Sequence, residues 1–362
     1  MNPTARLHGA GQSLWLDNIT RELLDRGTLA RYIAELSVTG LTSNPTIYDK
    51  AIGGTAAYDA AVRASAAGGS TPEGIFFDLA LDDLRRAADL FAPVHARTGG
   101  VDGYVSLEVS PLLAHDAAAT QAEAVRLHAL GSRSNLFIKI PGTPEGLAAI
   151  EETIFAGVPV NVTLLFSGPQ YVRCMEAYTR GVERRVEAGR PAFVGSVASV
   201  FISRWDGAIA DRVPADLRNR LGLAVGRQAY AEYRRFFATD RWQRLLNAGA
   251  RPQRLLFAST GTKDPAAPDT LYVAGLAAPH TVDTMPEDTL LAFADHGEMA
   301  ELLTPDPAPA AALLARFAAA GIDVEALGDE LQVKGADAFV ASWTSLMRRI
   351  EAKVSEVSPA GR

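Results

Sequence analysis

Eight short apolar stretches, rich in β-branched residues, alternate with helix-forming segments along this chain of 362 residues. Because neighbouring parallel strands must be joined by a crossover, usually a helix, this alternation predicts a parallel sheet. Eight is also the number of strands that closes a (β/α)8 barrel. The predicted strands are 14–16, 38–42, 104–109, 136–140, 158–165, 193–201, 255–258 and 271–276. We therefore predict an α/β fold, a (β/α)8 TIM barrel with additional helices.

Helix signals lie between the predicted strands. Thr71 followed by Pro72 is typical of an N-cap and a first helical residue, and predicts a helix through Phe91. The interval 42–104 is long enough for two helices, with Gly68-Gly69 as the break between them.

The C-terminal part of the chain has a different pattern. Residues 304–311 form a proline-interrupted connection, after which apolar residues recur at steps of three and four. These residues are Phe339, Trp343, Leu346, Ile350 and Val354. We expect one barrel domain over 1–362, with 304–362 as a C-terminal helical extension packed across the barrel. Use of the stripe for dimerisation is the alternative, so monomer and homodimer both stay open.

Charge and cysteine content exclude several classes of protein. Acidic residues outnumber basic ones by 42 to 35, which does not suit a nucleic-acid partner. The single cysteine, Cys174, excludes an intramolecular disulfide framework. No stretch resembles a secretory signal or a membrane span, so we expect a cytoplasmic protein with no membrane partner. The six histidines show no metal-ligand spacing, and no Gly-x-Ser-x-Gly or Gly-x-Gly-x-x-Gly motif occurs at a strand end.

Polar residues stand at or just after the end of nearly every predicted strand. In barrels of this kind the catalytic groups collect at the carboxyl ends of the strands. The residues there are Asp17, Thr42, Asn44, Ser106, Glu108, Lys139, Asn161, Thr163, Ser199 and Ser259.

Lys139 is the most informative of them. It is one of only five lysines, and strand alternation places it on the same face as Phe137, towards the barrel lumen. Burial lowers the pKa of a lysine, and a neutral amine can attack a carbonyl to form a Schiff base. The alternative is a lysine paired with Glu108 or Asp17 for structural reasons alone.

Two carboxylates, Asp17 and Glu108, end the first and third predicted strands. Schiff-base chemistry needs proton transfers at the carbinolamine and at the substrate, and two separately placed acids suit those two tasks. A structural ion pair or a helix cap is the alternative for each, and Asp17 is placed to cap the helix that follows it.

Asn44, Asn161, Thr163 and Ser199 are neutral groups of the kind that orient a polyhydroxylated chain, although Asn44 could equally be a turn residue before proline. Arg204 follows a strand end at a helix start, which suits a phosphate. Lys263, in a glycine-containing loop, offers a second positive charge, with a solvated surface lysine as the alternative.

The residues around these positions resemble the transaldolases, in the longer form typical of actinobacteria and related bacteria, within the class I Schiff-base aldolase superfamily. The resemblance covers nearly the whole chain. It rests on the segments Leu14-Trp-Leu-Asp-Asn, Gly40-Leu-Thr-Ser-Asn-Pro, Val105-Ser-Leu-Glu-Val, Phe137-Ile-Lys-Ile-Pro, Asn161-Val-Thr-Leu-Leu-Phe-Ser, Ser199-Val-Phe-Ile-Ser-Arg, Leu256-Phe-Ala-Ser-Thr and Thr284-Met-Pro.

The resemblance implies a barrel enzyme without metal or organic cofactor. A ketose phosphate would condense with Lys139, lose an aldose phosphate, and leave a dihydroxyacetone unit for transfer to an aldehyde acceptor. The expected reaction converts sedoheptulose 7-phosphate and glyceraldehyde 3-phosphate to erythrose 4-phosphate and fructose 6-phosphate, in the non-oxidative pentose phosphate pathway.

The resemblance also implies roles for individual residues. Asp17 would serve the C4 hydroxyl of the donor, and Glu108 would serve carbinolamine formation through a water held by Thr163. Asn44, Asn161 and Ser199 would bind the dihydroxyacetone hydroxyls, with Thr42 and Ser106 beside them. Arg204 and Ser259 would bind phosphate. The shorter forms of the family have a second arginine where this chain has Gly261, and Lys263 is the candidate substitute.

Two other functions compete with transfer. One is a fructose 6-phosphate aldolase that releases free dihydroxyacetone, and the other is a non-catalytic barrel that binds sugar phosphates. The resemblance implies that the related aldolases have tyrosine at the position of Phe201 and glutamine at the position of Glu108. Phe201 cannot supply a proton to the bound enamine, which favours transfer.

Overall fold

Eight parallel strands form a closed barrel at the centre of the computed structural model, which describes residues 2–357. The strands are β1 (Ser13–Leu16), β2 (Val38–Leu41), β3 (Val105–Glu108), β4 (Leu136–Pro141), β5 (Val160–Leu165), β6 (Ser196–Phe201), β7 (Arg254–Ala258) and β8 (Val282–Met285). Each strand pairs with the next along the chain, and β8 pairs with β1. The predicted TIM barrel is confirmed.

Helices connect the strands and surround the barrel. They are α1 (Pro3–Gly9), α2 (Arg21–Asp25), α3 (Thr28–Glu35), α4 (Pro45–Gly54), α5 (Asp59–Ala67), α6 (Pro72–Arg97), α7 (Ala117–Gly131), α8 (Pro144–Ala156), α9 (Gly168–Glu187), α10 (Ser203–Ile209), α11 (Leu221–Phe237), α12 (Asp240–Asn247), α13 (Leu271–Gly275), α14 (Glu287–His296), α15 (Ala308–Ala319) and α16 (Val324–Val357), with short 3-10 helices at Pro111–Leu113 and Ala215–Leu217. Within residues 2–357, no helix is long and apolar enough to cross a membrane.

The segment between β2 and β3 holds three helices where two were predicted. Gly68-Gly69 separates α5 from α6, as expected. A further helix, α4, precedes them and ends at Gly54. The side chain of Thr71 accepts a hydrogen bond from the Gly74 backbone N–H and so caps α6. This helix continues past Phe91 to Arg97, with Pro93 inside it.

The predicted eighth strand is wrong. Residues 271–275 form helix α13, and the eighth strand is Val282–Met285. A short apolar run does not by itself distinguish a strand from a buried helix turn, and residues 271–276 have such a run. The true strand has the sequence Val282-Asp-Thr-Met285. Its two polar residues stand in the middle, so it lacks the apolar run by which the other strands were recognised.

The barrel lumen is divided into an aromatic layer and a polar layer. Near the amino ends of the strands, the rings of Tyr104 and Phe137 stack with centroids 3.9 Å apart, and Trp15 lies 6.0 Å from Phe137. Gly40 makes room for this layer, because a Cβ there would lie 2.6 Å from the Trp15 ring. Lys139 shares the lumen face of β4 with Phe137, one pleat closer to the carboxyl end.

Helix α16 lies against α4, α5 and α6. Its predicted apolar stripe is turned inwards: Leu346 and Ile350 are fully buried, and the Trp343 ring meets Phe76 edge-on at 5.1 Å. Asp49 of α4 accepts a hydrogen bond from Ser345 of α16 and thereby ties the two helices together. The stripe is thus covered within the chain.

Asp283 carries an unusual buried carboxyl group on β8. Thr260 donates a hydrogen bond to Oδ1 at 2.7 Å, whereas the buried Oδ2 has no hydrogen-bond partner in the described chain. Burial raises the pKa of Asp283 to about 7. The folded protein therefore holds a proton at this group that the unfolded chain has already lost above its ordinary pKa of 3.8.

We expect Asp283→Asn to remove this pH dependence. Between pH 4 and 7 the folded state binds more protons, so this group lowers stability as pH rises, by up to about 1.4 kcal/mol per pH unit. Asparagine keeps the shape and the acceptor for Thr260 but does not ionise. The advantage in Tm of the variant over the parent should grow up to about pH 7 and then level off, measured by circular dichroism at several pH values. An advantage that is constant across pH would contradict it.

Candidate active site

A cavity of about 340 Å3 opens at the carboxyl ends of the strands. It is lined by these predicted site residues: Asp17, Thr42, Asn44, Lys139, Ser199, Phe201, Arg204, Ser259 and Lys263. The predicted residues Ser106, Glu108, Asn161 and Thr163 are buried in the barrel and are not part of the cavity wall. The predicted residues that line the cavity come from β1, β2, β4, β6 and β7 or the loops after them, so they converge on one site, as the barrel geometry predicts.

Lys139 lies at the centre of this group and is only 5% exposed. Its Nζ donates hydrogen bonds to Glu108 Oε2 at 3.2 Å and to the Ser43 carbonyl at 3.3 Å. The Phe339 ring of α16 covers the amine, with its centroid 5.6 Å from Nζ. The lysine is therefore held in a nearly dry position beside a carboxylate.

Strand register brings the partners of Lys139 to its two sides. Glu108 of β3 is opposite Lys139, and Lys139 is in turn opposite Asn161 of β5. Because side chains at paired positions on one face of a sheet are neighbours, the lysine, the acid and the amide form a row across three strands.

Asp17 and Glu108 are both carboxyl groups whose pKa is raised, chiefly by burial. The charge of Lys139 opposes the rise in both cases, and Thr42 also opposes it at Asp17 by donating a hydrogen bond at 2.7 Å. Asp17 does not cap the next helix, because the side chain of Thr20 does so. Burial therefore favours the protonated form of both acids, which suits them to donate and accept protons in the site.

A chain of neutral hydrogen bonds crosses the polar layer. Ser199 donates to Asn161 Oδ1 at 2.8 Å, and Asn161 Nδ2 donates to Ser106 Oγ at 3.1 Å. The hydroxyl of Thr163 is buried and has no hydrogen-bond partner in the described chain. These contacts fix the orientation of the Asn161 amide next to the lysine.

Asn44 caps a helix and also lines the cavity. Its side-chain oxygen accepts a hydrogen bond from the Ile47 backbone N–H at 3.1 Å and caps α4, while the residue also lines the cavity. The cap fixes the side chain at the rim of the site.

Three exposed cations stand around the cavity mouth: Lys50 on α4, Arg204 on α10 and Lys263 in the loop after β7. The Arg204 guanidinium lies 5.9 Å from the Phe201 ring centroid. Ser259 adopts a positive φ of 57° and its hydroxyl meets that of Ser203 at 2.9 Å. This side of the cavity therefore favours an anionic group.

Sequence reasoning missed three residues of the site. Thr284 was missed as a site residue because the eighth strand was misplaced, yet its hydroxyl lies 2.7 Å from that of Thr42. Phe339 was assigned only to the apolar stripe of α16. For Lys50 the sequence held one signal: the chain has only five lysines, and this one stands shortly after the Asn44-Pro segment.

The fold and the cavity define the class of protein: a (β/α)8 barrel enzyme with its site at the carboxyl ends of the strands. The family model for transaldolase/fructose-6-phosphate aldolase matches residues 14–350. A transaldolase from Frankia alni is 44% identical over 358 residues, 96% of each chain. A transaldolase from Acidothermus cellulolyticus is 46% identical over 353 residues, 95% of each chain. The protein named transaldolase 2 from Nostoc punctiforme is 40% identical, covering 96% of this chain and 97% of its own. This chain belongs to the transaldolase/fructose-6-phosphate aldolase family.

Proposed function

We propose that this protein is a transaldolase, which moves a dihydroxyacetone unit from sedoheptulose 7-phosphate to glyceraldehyde 3-phosphate through a Schiff base on Lys139. The products are erythrose 4-phosphate and fructose 6-phosphate, as in the non-oxidative pentose phosphate pathway, and the location is the cytoplasm. The observation that carries the proposal is the buried Lys139 amine, 3.2 Å from Glu108 at the floor of the cavity. The names of the relatives and the family match support it.

Glu108 acts first, at the amine. It takes a proton from the Lys139 ammonium, and the neutral amine then attacks the ketone carbon of the donor sugar. The resulting carbinolamine loses water with Glu108 as the acid, which leaves an imine on Nζ. A void of about 10 Å3 between Glu108 and Phe339 is at the lower limit of the volume that holds one water molecule. Thr163 does not line this void; its buried hydroxyl has no partner in the described chain, which supports its assignment as a residue that holds a water for Glu108.

Asp17 acts at the substrate carbon chain. It removes the proton from the C4 hydroxyl, the C3–C4 bond breaks, and the aldose phosphate departs. The electron pair of the broken bond passes into the imine and gives an enamine bound to Lys139. The acceptor aldehyde then takes up the enamine carbon while Asp17 returns its proton to the new hydroxyl, and hydrolysis of the imine frees the product.

The remaining site residues orient the substrate. Asn44, Asn161 and Ser199 bind the hydroxyls of the dihydroxyacetone unit. Asn44 and Ser199 line the cavity with Lys139, and Asn161 is opposite Lys139 in the sheet and accepts a hydrogen bond from Ser199. Thr42 donates a hydrogen bond to Asp17, and Ser106 accepts one from Asn161, so these contacts hold Asp17 and Asn161 in place. Arg204, Ser259 and Lys263 bind the phosphate, and we add Lys50 to this set.

Residues 304–362 are assigned to an extension of the single barrel unit, of which residues 358–362 lie outside the described part of the chain. Within this extension, α16 places Phe339 over the Lys139 amine. An apolar cover excludes bulk water from the amine and from the enamine formed on it.

The first prediction of this proposal concerns the nucleophile. Borohydride reduction in the presence of fructose 6-phosphate should attach a three-carbon dihydroxyacetone unit to Lys139, detected by peptide mass mapping. Lys139→Met should fold normally and lose turnover, because methionine fills the same space without an amine. Lys263→Met serves as the matched control and should keep the label on Lys139. A label on Lys263, or turnover by Lys139→Met, would show that another residue is the nucleophile.

The second prediction concerns the phosphate. Arg204→Ala should mainly raise KM for phosphorylated substrates. The loss of a charge-assisted hydrogen bond corresponds to about 1.5–3 kcal/mol of binding free energy. Unphosphorylated fructose should be a poor donor for the parent enzyme, and its use should be unaffected by the substitution. Equal use of fructose and fructose 6-phosphate by the parent would be inconsistent with phosphate binding at Arg204.

The third prediction separates transfer from release, the reaction of a fructose 6-phosphate aldolase. Phe201 lines the cavity and packs against Phe166 at 5.3 Å, so it supplies no proton to the enamine carbon. With fructose 6-phosphate alone, glyceraldehyde 3-phosphate should form in a single burst. With erythrose 4-phosphate added, it should form continuously, with little free dihydroxyacetone in either case. Sustained release of dihydroxyacetone without acceptor, at a rate near that of transfer, would favour the aldolase.

A further inference from the structure

A second and larger cavity opens at the opposite end of the barrel. Its volume is about 590 Å3, compared with about 340 Å3 around Lys139. Ser13, Ser196 and Arg254 line it and begin β1, β6 and β7, so it lies at the amino ends of the strands. We call it the amino-end cavity, and its principal wall residues are Phe137, Phe193, Tyr233, Arg234, Arg251 and Arg254.

Five aromatic residues contribute rings to the walls of the amino-end cavity: Tyr104, Phe137, Phe193, Tyr233 and Phe237. Phe137 is fully buried and stacks on Tyr104, whereas Phe193 is 37% exposed at the mouth. Tyr233 directs its hydroxyl to the His280 carbonyl at 3.2 Å, which leaves its ring as part of the wall. Concave sites of 300–1,000 Å3 with apolar walls are typical of small-molecule binding, and aromatic walls suit a flat ring.

The charged groups of the cavity are mainly positive. Three arginines line it, and the one carboxylate among its described wall residues is Asp102. Asp102 is already occupied by hydrogen bonds from Trp15 Nε1 at 2.8 Å and from the Gly103 backbone N–H at 3.0 Å. Arg254 also has partners, since it donates to the Thr281 carbonyl at 2.7 Å.

Arg251 is the arginine that lacks such partners. Its guanidinium lies over the Phe193 ring at 4.8 Å, and its buried Nη1 has no hydrogen-bond partner in the described chain. A guanidinium of this kind is suited to a bidentate contact with a carboxylate, sulfonate or phosphate group. Its stacking on Phe193 places this charge next to the aromatic wall.

We propose that the amino-end cavity binds a small aromatic anion, a flat ring system with one anionic group. The ring packs on the aromatic wall, and the anionic group pairs with Arg251. The proposal is independent of the transaldolase reaction, because no residue assigned to that reaction lines this cavity. Phe137 connects the two sites through β4: it lies two residues before Lys139, about 7 Å along the strand.

Fluorescence titration of the full-length protein with 8-anilinonaphthalene-1-sulfonate tests the proposal. This probe has both the ring system and the single anionic group. One saturable site per chain is expected, with the dissociation constant raised about tenfold or more in Arg251→Gln, because a charge-assisted contact is lost. Arg251→Lys should weaken binding less, and Phe193→Ala should also weaken it. The neutral analogue N-phenyl-1-naphthylamine should bind the parent more weakly than the anionic probe does. Its dissociation constant should be the same for the parent and for Arg251→Gln.

Two controls show which of the two cavities the probe occupies. Arg244→Gln makes the same change of charge on an exposed arginine next to the wall residue Gln243, and it should leave probe binding unchanged. Saturating fructose 6-phosphate and the active-site variant Arg204→Ala should also have no effect. Displacement of the probe by fructose 6-phosphate, or loss of its binding in Arg204→Ala, would place it in the other cavity and overturn the proposal. So would unchanged binding in a folded Arg251→Gln variant.

Discussion

The buried contact between Lys139 and Glu108 is the interaction on which the site depends. Lys139 faces two carboxyl groups, the buried Glu108 and the half-buried Asp17 of the same site, so full ionisation of all three would leave a net negative charge there. Burial of such a charge is costly, and the group responds by holding a proton. This explains why the pKa of each carboxyl group is raised although the lysine opposes the rise.

The barrel produces this arrangement through register. Closing eight parallel strands places Glu108, Lys139 and Asn161 in one row, and the same alternation puts Phe137 and Tyr104 in the layer below. The aromatic layer lies beneath the polar site on the amino-end side of the lysine. At the carboxyl end, Phe339 of α16 covers the amine. The dryness of the site therefore depends on both the lumen and a helix near the C-terminus.

Residues at the ends of strongly apolar strands could be predicted from the sequence, because alternation and the barrel rule fix both their face and their end. Lys139, Glu108 and Asp17 are of this kind. Thr284 was beyond that reasoning, since its strand contains an aspartate and a threonine and has no apolar run. Phe339 and Lys50 lie on helices, and which helix faces over a barrel mouth depends on long-range packing that periodicity does not encode. The second cavity has the same origin, since it forms between strand starts and loops distant in sequence.

Gly261 lies on the cationic side of the site, at the position where the resemblance implies a second arginine in the shorter forms of the family. A Cβ at this position would lie 3.1 Å from Pro286 Cγ and 3.2 Å from Thr289 Oγ1, so a larger side chain requires the wall to move. To admit the Cβ of an arginine here, Pro286 and Thr289 would have to shift by a few tenths of an ångström. The positive charge instead comes from Arg204, Lys50 and Lys263, which stand on three separate elements at the rim. Lysines act as flexible point charges and lack the planar fork of arginine, so Arg204 is left as the one residue of this set able to grip a phosphate in a bidentate manner.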